Sequence, residues 1–231
     1  MQIIEASFTP KLIVMNEFLC IEWVEFQLKP GVTESQLLDA SEALRTEFLS
    51  LQHGFQRRSL IRLGEQGLYA DLVHWTNRKD ADAAMAASIV IPACGAYFAL
   101  FEVVKAPAFG QAIASHDAAQ RLPPIDSAEI EVGGMEISFF KPKPNVSDHS
   151  LSRAAQKMAA GLYCAQPGFI SHFVVKSEAG IYADVVLAAS SKRAAELCAS
   201  WGSDPYAEPC QGYLDMIRPE TMQIAFFDVL K

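Results

Sequence analysis

The chain repeats itself. Gln52-His53-Gly54-Phe55 returns as Gln166-Pro167-Gly168-Phe169, and Gly67-Leu68-Tyr69-Ala70-Asp71-Leu72-Val73 returns as Gly180-Ile181-Tyr182-Ala183-Asp184-Val185-Val186. Recurrence of that kind restricts a chain of 231 residues to architectures that use one supersecondary unit twice. In each copy a strand (18–28 and 135–141) leads through a Pro-containing turn, Lys29-Pro30-Gly31 or Pro142-Lys143-Pro144, into a helix. Thr33 and Gln36 form a capping box for the first of these helices, with Leu37, Leu44, Phe48 and Leu51 on one face. Ser147 caps its counterpart, with Leu151, Ala155, Met158 and Leu162 on the matching face.

The Gly-Phe pair then opens a hairpin, turning at Gly64-Glu65-Gln66-Gly67 in one copy and Glu178-Ala179-Gly180 in the other. A second, Ala-rich helix follows, capped by Asn77 or Ser190 and closed in the second copy by Gly202. A last strand (97–104 and 223–230) completes the order β-α-β-β-α-β, the ferredoxin-like unit. The expected fold class is α+β, with one repeat over 15–104, a connector over 105–128 and a second repeat over 129–231. The second copy also carries about a dozen extra residues, 206–221, before its last strand.

Composition narrows the function classes. A net charge of -8 gives no footprint for phosphate backbones, so nucleic acid is not expected as a partner. The first fifteen residues lack the pattern of a secretory signal, and no apolar run approaches the ~20 residues of a membrane span. A cytoplasmic protein is therefore expected. Five cysteines (Cys20, Cys94, Cys164, Cys198, Cys210) include no C-x-x-C pair and no zinc-like spacing with histidine, which predicts free thiols and no metal. No phosphate loop, H-E-x-x-H or G-x-S-x-G motif is present.

Two such units, each with a Tyr-x-Asp strand (Tyr69 to Asp71, Tyr182 to Asp184) before its second helix, resemble the dimeric α/β-barrel superfamily, and within it the antibiotic biosynthesis monooxygenase branch. The resemblance covers nearly all of residues 15–231 outside the connector. It implies two antiparallel sheets enclosing a barrel, helices outside, and a small ligand bound inside the barrel or between sheet and helices, with one chain supplying both halves. It also implies chemistry without a cofactor, and it is compatible with a homodimer. Heme-degrading members carry an Asn on the first strand, a Trp on the third and a His on the next helix. Asn16 and Trp75 match the first two, but residues 77–88 contain no histidine, and the second copy replaces His74-Trp75 with Leu187-Ala188. Relatives similar to chlorite dismutase need a heme histidine in the second copy, where His172 and His149 stand in no matching context.

Strand alternation divides the third strand into Leu68, Ala70, Leu72 and His74 on one face and Tyr69, Asp71, Val73 and Trp75 on the other. The apolar set is expected under the helices and the Tyr/Asp set inside the barrel. Arg58 is then expected to pair with Asp71, His172 or a tyrosine with Asp184, and Trp23 and Glu25 to point inward from the first strand. Two readings follow. In one, Asp71 or His74 is a proton acceptor, Arg58 steadies an anion, and Trp23, Glu25, Tyr69 and Trp75 line a cavity for a small aromatic or apolar molecule, as in a cofactor-free monooxygenase-like enzyme. In the other, the pairs only fix strand register in a non-catalytic, stress-associated or structural barrel. Heme binding is the third alternative. The retained His74-Trp75 pair places the expected site in the first copy.

Overall fold

The computed structural model describes residues 19–64, 67–117, 131–163, 166–202 and 207–230. The first half contains β1 (Cys20–Leu28), α1 (Glu34–Glu47), β2 (Phe55–Arg62), β3 (Leu68–Trp75), α2 (Arg78–Ser88), α3 (Pro92–Phe98), β4 (Phe101–Val103) and β5 (Ala108–Asp117). The second contains β6 (Gly134–Phe140), α4 (Asp148–Leu162), β7 (Phe169–Ser177), β8 (Tyr182–Ala188), α5 (Ser191–Ala199), α6 (Ala207–Leu214) and β9 (Gln223–Leu230). The helices start where the sequence predicts. Thr33 and Gln36 close a reciprocal capping box on α1, and Asn77, Ser147 and Ser190 each accept a backbone N–H at the start of α2, α4 and α5.

Eight antiparallel strands close into a ring in the order β3-β2-β9-β6-β8-β7-β5-β1, with β1 returning to β3; β4 pairs with the far end of β1, on the edge that β5 occupies. The last long strand of each half joins the other half. β5 lies between β1 and β7, and β9 lies between β6 and β2. Closure removes the exposed sheet edges that would otherwise invite further pairing.

The repeated Gly-Phe motif has a backbone cause. Gly54 and Gly168 both adopt φ of 76°, which side-chain-bearing residues disfavour, and both carbonyls accept the N–H that follows β3 or β8. Register then matches residue to residue: Phe26 faces Tyr69 as Phe140 faces Tyr182, and Arg58 faces Val73 as His172 faces Val186. Cys20 of the first half corresponds to Gly134 of the second, where a Cβ would collide with the Ser190–Ser191 backbone. Gly134→Ala is therefore expected to lower stability by about 1–3 kcal/mol in chemical denaturation, the range of overpacked sites.

Two expectations are corrected. Residues 97–104 do not form the last strand of the first half. Pro92 at the first turn starts α3, which buries Ala93, Cys94 and Tyr97 on one face, and only Phe101–Val103 is extended. The long strand is β5, inside the segment read as a connector. Its Ala, Gly and Gln content and a register shift between Ala112 and Ala114 hide the alternation. The residues read as extra in the second half form α6, the counterpart of α3. Cys20, Cys94, Cys198 and Cys210 are free thiols, while Cys164, Asn16 and connector residues 118–128 lie outside the described residues.

Candidate functional site

Three apolar clusters organise the interior. One lies between the first-half helices and the outer face of its strands, a second does the same in the second half, and the third fills the barrel. The barrel cluster contains Ile21, Ile61, Ala70, Leu72, Met135, Ile137, Phe173, Val185 and Leu187. Tyr69, Val73 and Trp75 belong instead to the cluster under α1, α2 and α3. The expected facing of β3 is thus inverted: Leu68, Ala70, Leu72 and His74 share the inner face, and Tyr69, Asp71 and Trp75 point outward at the helices. Alternation did not decide this, because both faces of β3 are buried.

On the helix side of the first half, Arg58 Nη2 lies 2.6 Å from Asp71 Oδ1, and the guanidinium also donates to Ser41 Oγ and Tyr97 Oη at 2.6 Å. Tyr97 on α3 donates to Asp71 Oδ2 at 3.0 Å. Trp75 Nε1 donates to Glu22 at 2.9 Å, and Tyr69 donates to Glu34 at 2.8 Å. The second half repeats the plan with different charges. His172 Nε2 lies 2.9 Å from Asp184 Oδ2, Tyr213 on α6 donates to that oxygen at 2.8 Å, and Glu136, the counterpart of Glu22, accepts from Ser138. The anticipated Arg58–Asp71 and His172–Asp184 pairs both form, but they tie helices to sheet rather than line the barrel. Burial, and then the nearby Asp184 carboxylate, push Glu136 up to about 8.

The two ends of the barrel differ. One is closed by Arg57, which donates to Ser171 Oγ across the interior at 3.0 Å, and by His74, packed edge-on against Phe173 at 4.9 Å between ring centroids. Burial, aided by Arg57, holds the His74 pKa well below its ordinary value, so this imidazole is neutral. The other end opens into a cavity of about 610 Å³, within the size range of small-molecule sites. Its depth is apolar: Ile21, Leu72, Ile137, Val175 and Val185. Trp23 forms a wall and donates through Nε1 to Glu25 at 3.0 Å, and Lys105 pairs with Glu25 at 2.7 Å.

Of the residues singled out from sequence, Trp23 and Glu25 line this cavity. Arg58, Tyr69, Asp71 and Trp75 lie on the opposite face of the sheet, and His74 lies inside the barrel beyond the cavity lining. The site is not confined to the first half, since Ile137, Phe139, Val175, Ala183, Val185 and Gln223 of the second half complete it. Sequence reasoning missed Lys105 and Lys141. The first follows β4 in the segment read as a connector, and the second was read as the end of a strand rather than as the next inward position after Phe139. Among the described residues, no histidine, cysteine, methionine or tyrosine lines the cavity, so its donor set does not fit an axially ligated heme.

No sequence-family description matches the chain, and no curated protein matches it. Solved structures do. A candidate monooxygenase from Lactobacillus acidophilus superposes with a TM-score of 0.64 at 9% identity, over 93% of this chain and 94% of that one. A candidate monooxygenase from Fusobacterium nucleatum gives 0.63 at 11% identity over 94% of both chains. An anthrone oxidase-like protein gives 0.53 at 12% identity, over 94% and 92%. At these identities the likeness establishes the fold, a dimeric α/β barrel built within one chain.

Proposed function

We propose that this protein binds a small, mostly apolar, flat molecule inside its barrel, between Trp23 and the Leu72–Val185 floor. The observation that carries this reading is the cavity of about 610 Å³, open at one end and apolar in its depth. A purely structural barrel has no need of such a space, because an unfilled apolar cavity costs packing energy. Wetting it would not recover that loss, since its depth offers few polar partners for water.

A catalytic version of the same reading is favoured by Glu25. It is a carboxylate lining the cavity beside the Trp23 ring, and it accepts hydrogen bonds from Trp23 and Lys105. That geometry suits a proton acceptor for a bound aromatic substrate. The structural neighbours described as candidate monooxygenases and as anthrone oxidase-like support a monooxygenase-like assignment. The equivalent order and register of the halves support their origin as a tandem duplication.

Binding is tested with N-phenyl-1-naphthylamine, a neutral aromatic whose emission rises in apolar surroundings. The parent protein is expected to bind it in one saturable step. Ala183→Phe, which projects a ring into the cavity, is expected to weaken binding at least about tenfold, the loss of roughly 1.4 kcal/mol of contact. Equal binding by parent and variant, or none by either, would remove the proposal.

A further inference from the structure

The charged groups around the cavity mouth are not all paired, and the unpaired one points to the class of ligand. The strands run from depth to rim in step: Ile21, Trp23 and Glu25 on β1; Ile137 and Phe139 on β6, with Lys141 just past its end; Val185 and Ala183 on β8, with Ile181 just before its start. Ionisable groups among the lining residues appear only at the rim, as Glu25, Lys105, Lys141 and Glu178. Glu25 and Lys105 neutralise each other at 2.7 Å, and Glu178 shares Arg78 with Asp82. Lys141 has no ion-pair partner among the described residues. Lys141 is thus the one lining cation without a counter-ion among the described residues, at the mouth of an apolar cavity.

The position of Lys141 is fixed even though its ammonium is unpaired. Its backbone N–H donates to Thr221 Oγ1 at 3.0 Å, and its carbonyl accepts from the Arg218 N–H at 3.0 Å. Thr221 itself lines the cavity, so the segment before β9 holds the root of the lysine at the rim. A flexible stem there lets the ammonium reach a group held in the opening while the methylenes stay against apolar surface.

We propose that the ligand is an amphipathic anion, an apolar body bearing a single negative charge, and that Lys141 receives that charge while the body occupies the barrel. This rests on the cavity reading above and adds the ligand's charge, orientation and the residue that selects it. A neutral ligand would gain nothing from the lysine. A cation would meet it as a like charge. A dianion would exceed the one charge available, since Lys105 is engaged by Glu25. The apolar depth sets the orientation, because a charge driven past Trp23 would lose its water without gaining a partner.

The test uses two probes that share one aromatic skeleton: 8-anilinonaphthalene-1-sulfonate, which is anionic, and neutral N-phenyl-1-naphthylamine. The parent protein is expected to bind the sulfonate about tenfold more tightly at low salt, with the advantage shrinking as salt is added. Lys141→Gln is expected to bring the two affinities together, and Lys141→Arg to keep them apart. Equal affinities in the parent, or an advantage that survives Lys141→Gln, would overturn the anion assignment while the cavity reading stood. Failure of both probes to bind, or binding unaffected by Ala183→Phe, would overturn the cavity reading and this inference together.

Discussion

Arg58→Met is expected to destabilise the protein by about 3–5 kcal/mol, and adding Asp71→Leu to recover most of that loss. The guanidinium is almost wholly buried and its partners surround it: Asp71 at 2.6 Å, Ser41 and Tyr97. Removing it leaves the Asp71 carboxylate facing Tyr97 alone beneath α3. Replacing both charges removes the desolvation cost together with the attraction, which is why the double variant is expected to be far less damaged. A double-mutant cycle by chemical denaturation measures the coupling. Because the pair lies on the helix side of the sheet, the double variant is also expected to bind the neutral aromatic probe as the parent does. Loss of binding in a folded double variant would contradict the division between the helix-side pairs and the barrel cavity.

The second large effect is in the other half, where no guanidinium among the described residues pairs with the buried acids. Glu136 is held at about 8 against an ordinary 4.5, first by burial and then by Asp184. His172, Tyr163, Tyr213, Cys198 and Cys210 are further ionisable groups around this pair. The folded state therefore keeps a proton on Glu136 that the unfolded chain has lost between about pH 4.5 and about pH 8. Stability from this group is fully present below the lower value and is lost as pH rises through the upper one. At about 1.4 kcal/mol per pH unit, the difference between mildly acidic and alkaline solution is on the order of 4 kcal/mol. Glu136→Gln keeps a neutral hydrogen-bonding side chain at all pH values. It is expected to flatten the dependence and to leave the variant more stable than the parent near pH 9. An unchanged slope would place the acid elsewhere than in the core.

Much of the architecture was legible because it rests on local chemistry. Thr33 with Gln36, Asn77, Ser147 and Ser190 mark helix starts through capping, and Gly54 and Gly168 recur because the turn demands their backbone conformation. The Arg58–Asp71 and His172–Asp184 pairs followed from hairpin register and the cost of burying a lone charge. What escaped depends on tertiary context. β5 is a strand because β1 and β7 flank it, not because its residues favour one. The facing of β3 depends on which buried layer supplies hydrogen-bond partners, and the partner Tyr97 stands on α3, a helix absent from the sequence reading. The cavity is made jointly by strands from both halves, so the loss of His74-Trp75 from the second copy did not locate it.

A crystal structure of the complex with N-phenyl-1-naphthylamine tests the barrel site most directly. Ligand density is expected inside the barrel, with a ring against Trp23 and the far end toward Leu72 and Val185, and the Arg58–Asp71–Tyr97 cluster unchanged. Density beneath the helices near Trp75, with the barrel empty, would contradict it.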